Sequence, residues 1–160
     1  MAFTYELNGD SYLSVADADT YHSDRNRLEW ANLTADEKEA SLRRATTFLD
    51  SAYDWKGELN DTDNAHAWPR DDVEDDEQRD IDNTTLPDRI KDATAELAFI
   101  DALKSELLPV DKGGETQRVK AGSVEIEYAG GQGTGMSLAR VKRLVSGLAQ
   151  NVSGKVVTRT

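Results

Sequence analysis

The sequence predicts a mainly α-helical fold, a small bundle of about four helices with a β-hairpin and a long acidic loop. Three patterns predict it. Apolar residues recur every three or four positions in several segments, which is the period of one helix face. Residues 124–128 alternate apolar and acidic side chains, as a strand does. Residues 57–85 show neither period and exceed the length of a simple turn, so we expect a loop there.

Two helix starts stand in the first third of the chain. Ser14 is followed three residues later by Asp17, a spacing typical of a capping box at the first turn of a helix. Thr34 and Glu37 repeat that spacing. After the second start, apolar residues form one stripe, at Leu42, Ala45, Leu49 and Ala52. We therefore predict two helices, the second with one buried face.

The clearest helical pattern follows Pro87, a residue suited to the first helical turn because its missing N–H would be unpaired there anyway. Its apolar stripe consists of Ile90, Ala93, Leu97, Ile100, Leu103 and Leu107. Small residues beside the stripe, Ala95, Ala98 and Ala102, would let a neighbouring helix approach closely. Pro109 ends the pattern.

The last third of the chain predicts a β-hairpin over 117–128, a glycine hinge and an amphipathic helix over 136–152. The hinge glycines are Gly130, Gly131, Gly133 and Gly135. This order predicts a body, residues 1–129, and an arm, residues 130–160. The basic residues of the arm are Arg140, Lys142, Arg143, Lys155 and Arg159.

Charge is distributed unevenly along the chain. It has 31 acidic and 19 basic residues, a formal net charge of −12. Residues 1–110 hold 27 acids and 11 bases, whereas residues 111–160 hold 4 acids and 8 bases. A basic arm on an acidic body suits contact with an acidic partner or a neighbouring copy. There is no cysteine, and no apolar run approaches the roughly 20 residues of a membrane span.

Catalytic and metal-binding patterns are weak. His22 and His66 stand apart; either could act as a general base beside a carboxylate, but a structural role is the simpler interpretation. The run 71–82 holds eight acids but lacks the glycine that a calcium loop requires. We interpret it as a solvated acidic loop, with mimicry of a DNA backbone as a minor alternative. The glycines of 130–135 lack the lysine of a phosphate-binding loop. We expect no enzyme, no cofactor and no metal site.

Four stretches in this order resemble the head–tail connector, or adaptor, proteins of tailed bacteriophages. They are SYLSVADADTY at 11–21, WPR at 68–70, the helix at 86–103 and the strand-like segment at 119–128. The resemblance implies a structural virion protein, made in the host cytoplasm and located in the neck between capsid and tail. It also implies a ring, typically of twelve copies, under the portal protein.

In that role the ring would extend the DNA channel, dock the next neck or tail protein and let double-stranded DNA pass without tight binding. The basic residues of the arm would contact the portal or a neighbouring copy. Some relatives of this kind are labelled as single-strand-binding proteins similar to a primosomal factor. The alternative function is therefore a single-stranded-DNA-binding accessory protein.

The segment Trp68, Pro69 and Arg70 is the distinctive feature of the long loop. We expect Trp68 to anchor the loop, Pro69 to fix its turn, and Arg70 to offer a forked donor to a carboxylate. Two interpretations stay open, an anchor within the chain and a contact between subunits.

Overall fold

The computed structural model describes residues 11–104 and 134–150, and its mainly helical architecture confirms the predicted fold class. Those ranges contain five helices and a two-stranded antiparallel sheet: α1 (Val15–Ser23), α2 (Leu28–Ala31), α3 (Ala35–Ala52), β1 (Glu58–Leu59), β2 (Arg70–Asp71), α4 (Asp88–Lys104) and α5 (Thr134–Val145). None of these helices is long and apolar enough to cross a membrane. The predicted hairpin at 117–128 lies outside the described residues.

Both predicted helix starts are present. The Ser14 hydroxyl accepts a hydrogen bond from the Asp17 N–H at 3.1 Å and begins α1. At α3 the capping box is complete, because the Thr34 hydroxyl accepts from the Glu37 N–H while the Glu37 carboxylate accepts from the Thr34 N–H at 2.8 Å. These bonds satisfy N–H groups that have no partner within the helix.

Helix α4 is the centre of the bundle. The other helices of the described residues pack on it, and positions 93 to 98 are all buried. Its alanines, Ala93, Ala95 and Ala98, are fully buried and provide the room for neighbouring helices to approach. A helix covered on several sides has few positions for solvated charge, so polar residues on α4 need partners inside the fold.

Helix α5 belongs to the same core, although the sequence predicted an arm. Val141, Val145 and Leu148 are at most 1% exposed and lie in the core cluster that includes α3 and α4. The chain after α5 then pairs with the segment that follows α3: the Lys56 N–H donates to the Leu148 carbonyl at 3.0 Å, and Ala149 forms a β-bridge with Trp55. The described part of the predicted arm, 134–150, is thus part of the body.

The structure describes only some of the other residues predicted for the hinge and the arm. Gly135 is the second residue of α5, so the backbone there is helical rather than a linker. Gly130, Gly131 and Gly133 lie outside the described residues, as do Lys155 and Arg159.

Arg70 closes the base of the long loop. Its guanidinium donates to three backbone carbonyls, those of Lys56 at 2.7 Å, Gly57 at 2.8 Å and Ala67 at 3.1 Å. The predicted carboxylate partner is therefore replaced by carbonyls of the same chain. Gly57 is required at this point, since its φ is +71° and a Cβ would lie 2.1 Å from the Asp71 carbonyl oxygen.

Trp68 fills the interior beneath this loop. Its side chain is fully buried and meets the ring of Trp55 edge to face, with ring centroids 5.6 Å apart. The Trp68 N–H donates to the Tyr12 hydroxyl at 3.2 Å, and that hydroxyl donates in turn to the Asp50 carboxylate. Pro69 follows, half-buried. All of these contacts are made within the chain, so the loop is fastened at its middle as well as at its base.

We expect Leu148→Ala to lower the free energy of unfolding by about 2–5 kcal/mol, because it removes buried apolar surface and leaves a cavity in the core that α5 shares with α3 and α4. Lys142→Ala, on the exposed side of α5, should change it by less than about 0.5 kcal/mol. Urea unfolding followed by tryptophan fluorescence measures both. Equal, small effects would show that residues 134–150 do not stabilise the body.

Arg70→Lys should destabilise the protein by roughly 1–3 kcal/mol, because one ammonium cannot reach the three carbonyls that the guanidinium fork serves. Arg79→Lys is the matched control, since Arg79 is exposed and pairs with Asp75 on the surface of the same loop. Thermal unfolding of the two variants gives the comparison. If both shift the midpoint by the same amount, the carbonyl contacts of Arg70 contribute nothing.

Candidate nucleic-acid interface

A buried carboxylate, Glu96 on α4, organises one side of the bundle. Its side chain is 3% exposed. The Tyr21 hydroxyl donates to it at 2.7 Å, and one Arg27 nitrogen lies 3.0 Å from both of its oxygens. Burial alone would raise the pKa of the Glu96 carboxyl, but the hydrogen bonds from Tyr21 and Arg27 outweigh it and hold the pKa below its ordinary value. Glu96 is therefore ionised at neutral pH.

Arg140 of α5 reaches the same carboxylate from the solvent side. Its Nε lies 3.6 Å from a Glu96 oxygen, and its side chain remains 52% exposed. Because Arg27 already neutralises Glu96, the charge of Arg140 is only partly compensated. Two contacts show how α5 is oriented on α4. Arg140 lies opposite Glu96 and Gly147 lies beside Arg89, so α5 runs antiparallel to α4.

Arg25 lies over the ring of Tyr21. Its guanidinium carbon is 3.5 Å from the ring centroid, and its Nη1 donates to the Tyr21 carbonyl at 3.0 Å. The Arg25 residue is exposed, whereas Tyr21 is only partly so. Burial and the neighbouring Glu96 carboxylate raise the pKa of the Tyr21 hydroxyl, which therefore stays protonated and remains a donor.

His22 lies beneath this group of side chains. It is fully buried against Trp30 and Phe99, with ring centroids 4.4 and 5.2 Å away, and Arg27 lies over the Phe99 ring. Burial, together with the positive charge of Arg27, lowers the pKa of His22 to about 4. The imidazole is therefore neutral at pH 7 and supports the position of Arg27.

His66 is placed elsewhere, in the long loop. Its Nδ1 is 3.0 Å from an Asp50 oxygen, and its ring packs near that of Tyr12 at a centroid separation of 5.3 Å. His66 therefore belongs, with Tyr12, Asp50 and Trp68, to the group of contacts that fastens the long loop, which we call the loop anchor. The described residues contain no group of acidic and histidine side chains arranged to hold a metal ion.

Most cations of the described body pair with a carboxylate. These pairs are Lys38 with Asp19, Arg43 with Glu39, Arg44 with Asp101, Arg79 with Asp75, Arg89 with Asp76 and Lys91 with Asp88. Lys56 and Arg70 donate to backbone carbonyls instead. Among the exposed cations that the structure describes, Arg25, Lys142 and Arg143 have no carboxylate within 4 Å. Uncompensated positive charge is thus confined to a few positions.

We call Arg25, Arg27, Arg140 and Arg143 the cationic surface; Lys142, two residues after Arg140, lies on a different side of α5. Arg140 and Arg143 are three residues apart on α5 and so lie on neighbouring parts of one helix face. Asp92, half-buried on α4, lies close enough to Arg25 and Arg140 to feel both charges. Its burial raises the pKa of its carboxyl.

The sequence pattern anticipated the cations of α5 but not Arg25 and Arg27, which lie between α1 and α2. Arg25 follows Tyr21 by four residues across the end of α1, a spacing from which a side-chain contact could have been predicted. No sequence pattern connects Arg27 with Glu96, 69 positions later. Trp68, Pro69 and Arg70 belong to the loop anchor rather than to the cationic surface.

Comparison of the chain with known protein families gives a match. A family model described as "Putative DnaT-like ssDNA binding protein" matches residues 4–160. The chain belongs to this family. No curated protein matches the chain, and no solved structure does.

The family membership corrects the resemblance to head–tail connector proteins, which is wrong. That resemblance depended on four short stretches, whereas the family model covers nearly the whole chain. The structural virion role falls with it, as do the portal and tail partners, the twelve-copy ring and the passage of double-stranded DNA without tight binding. The family description agrees with the alternative function, binding of single-stranded DNA.

The buried His22 should make stability fall in mild acid. In the unfolded chain its pKa returns to about 6.5, while in the folded protein it is about 4. The neutral form is favoured by folding, so this stabilisation is present above pH 6.5 and is lost as the pH falls towards 4, by up to about 3 kcal/mol.

Urea unfolding at pH 7 and pH 4.5 for wild type and His22→Gln checks this. The loss of stability between the two pH values should be smaller in the variant, even if Gln lowers stability at both. A pH dependence identical in the two proteins would mean that His22 takes up its proton equally in the folded and unfolded states.

Proposed function

We propose that this protein is a single-stranded-DNA-binding accessory protein, similar to a primosomal factor, and that the cationic surface is where DNA binds. The family description supports the ligand class. The observation that carries the location is the pairing of cations. Among the exposed cations of the described residues, Arg25, Lys142 and Arg143 have no carboxylate within 4 Å, and Arg140 shares Glu96 with Arg27.

The location follows from electrostatics. The chain as a whole is acidic, with a net charge of −12, so most of its surface repels a phosphate backbone. Attraction must come from a local excess of positive charge. The cationic surface holds four cations, and two acids that interact with them are not freely exposed: Glu96 is buried and bound by Arg27, and Asp92 is half-buried.

Phosphate contacts by these arginines would release counterions from the DNA, which makes binding dependent on salt. Guanidinium groups suit this role because they stay charged and offer several donors to phosphate oxygens. Two of the residues, Arg140 and Arg143, were proposed from the sequence as contacts for an acidic partner. The proposed partner is now a nucleic acid strand instead of a protein.

We expect the wild-type protein to bind a labelled oligothymidine with an affinity that falls steeply between about 50 and 200 mM salt. Arg140→Ala and Arg143→Ala should each weaken binding. Removing one cation that binds a phosphate should reduce the slope of log affinity against log salt by about 0.7. Fluorescence anisotropy over a salt series measures both quantities.

Arg43→Ala is the matched control, because Arg43 is an exposed arginine on α3 that pairs with Glu39 outside the cationic surface. Its affinity and salt slope should equal those of wild type. If wild type fails to bind at low salt, the proposed function is wrong. If Arg43→Ala weakens binding as much as Arg143→Ala does, the location is wrong.

A further inference from the structure

The stack of Arg25 on Tyr21 is a flat, exposed cation in a fixed orientation. The guanidinium carbon is 3.5 Å from the ring centroid, which is the separation of two stacked planar groups. A guanidinium has two faces, and the Tyr21 ring covers one of them. Because the Arg25 residue is exposed, its solvent contact belongs to the other face and to the edges.

Two further bonds hold this stack in place. The Arg25 Nη1 donates to the Tyr21 carbonyl at 3.0 Å, and the Tyr21 hydroxyl donates to the buried Glu96 at 2.7 Å. Glu96 is itself held by Arg27. An arginine free in solvent would lose side-chain entropy on binding a flat ligand, whereas this one is already ordered.

From this geometry we infer that the outer face of Arg25 stacks on an unpaired nucleobase, and that Glu96 is the positioning residue that holds the platform through the Tyr21 hydroxyl. The inference rests on the proposed function and specifies which part of the strand this residue contacts. Arginine planes stack on the face of any base, so the contact tolerates all sequences. Within a duplex the base faces are covered by neighbouring pairs, so the platform favours single strands.

The adjacent Arg140 is suited to the phosphate next to such a base. It is half-exposed and shares Glu96 with Arg27, so one buried carboxylate fixes both the stacking group and a phosphate-binding group. A strand could then be held by a base and by its backbone at neighbouring points. The alternative is that Arg25 binds only phosphate, as Arg143 is proposed to do.

The test compares an oligothymidine with an abasic strand of the same length, which keeps every phosphate and lacks the bases. Arg25→Lys keeps the charge and removes the planar group. We expect it to weaken binding of the oligothymidine roughly five- to tenfold and to leave binding of the abasic strand unchanged. Arg143→Lys, the matched control, should change neither affinity by more than about twofold, because a phosphate contact needs charge rather than a plane.

Tyr21→Phe tests the positioning role, because it keeps the ring and removes only the hydroxyl that donates to Glu96. It should weaken binding of the oligothymidine alone. Its effect should also be smaller when Arg25 is already lysine, since both changes then act on one platform. A strand carrying a fluorescent adenine analogue should report the loss of stacking directly, at protein concentrations that saturate each variant.

The outcomes separate the two proposals. Equal loss on both strands with Arg25→Lys, or loss on neither, would overturn the stacking inference while leaving the proposed function standing. Additive effects of Tyr21→Phe and Arg25→Lys would overturn the positioning role of Glu96. Failure of the wild-type protein to bind either strand would overturn the proposed function and the inference together.

Discussion

The burial of carboxylate side chains on α4 is the constraint on which the rest of the structure depends. Because helices cover α4 on several sides, Glu96 and Asp101 are both about 2% exposed. A buried charge is tolerated only when it is paired and hydrogen-bonded. Glu96 draws in Tyr21 from α1, Arg27 from the turn before α2 and Arg140 from α5, while Asp101 draws in Arg44 from α3. Four elements are thus oriented on α4 by charge as well as by apolar contact.

The same constraint explains where positive charge collects on an acidic protein. One buried carboxylate, Glu96, recruits two arginines, and the second of them stays half-exposed. Elsewhere in the described body, cations and acids pair on the surface and cancel each other, as Arg43 does with Glu39. Part of the local positive charge therefore arises because a buried carboxylate requires cationic partners.

What the sequence could predict was local. The caps at Ser14 and Thr34 and the apolar stripes of α3, α4 and α5 depend on residues a few positions apart, and all of these helices are present. The partner of a stripe is not local: α5 has the expected apolar face, but that face packs on α4 and not on another subunit. The short α2 was not predicted, because four residues with one buried tryptophan show no period.

The long loop also combines a feature that the sequence could predict with contacts that it could not. Trp68 could be recognised as an anchor because a large aromatic residue stands alone in an acidic stretch, but its neighbours Tyr12 and Trp55 could not. The connector resemblance failed for a related reason. Its motifs include residues that this chain uses for packing and for fastening a loop, namely Tyr12, Trp68 and Arg70, and such residues report on folding more than on a ligand.

Helix α5 is held to the body by contacts of two kinds. At Arg140 the attachment is ionic and partly exposed, whereas the turn and strand after the helix are held by buried apolar side chains and by backbone hydrogen bonds to residues 54–56. Screening by salt acts strongly on exposed charges and little on the second kind of contact. Raising the ionic strength should therefore weaken the proposed DNA contacts on the outer face of α5 without detaching α5 from the body, so the salt dependence of binding would report on those contacts and not on unfolding.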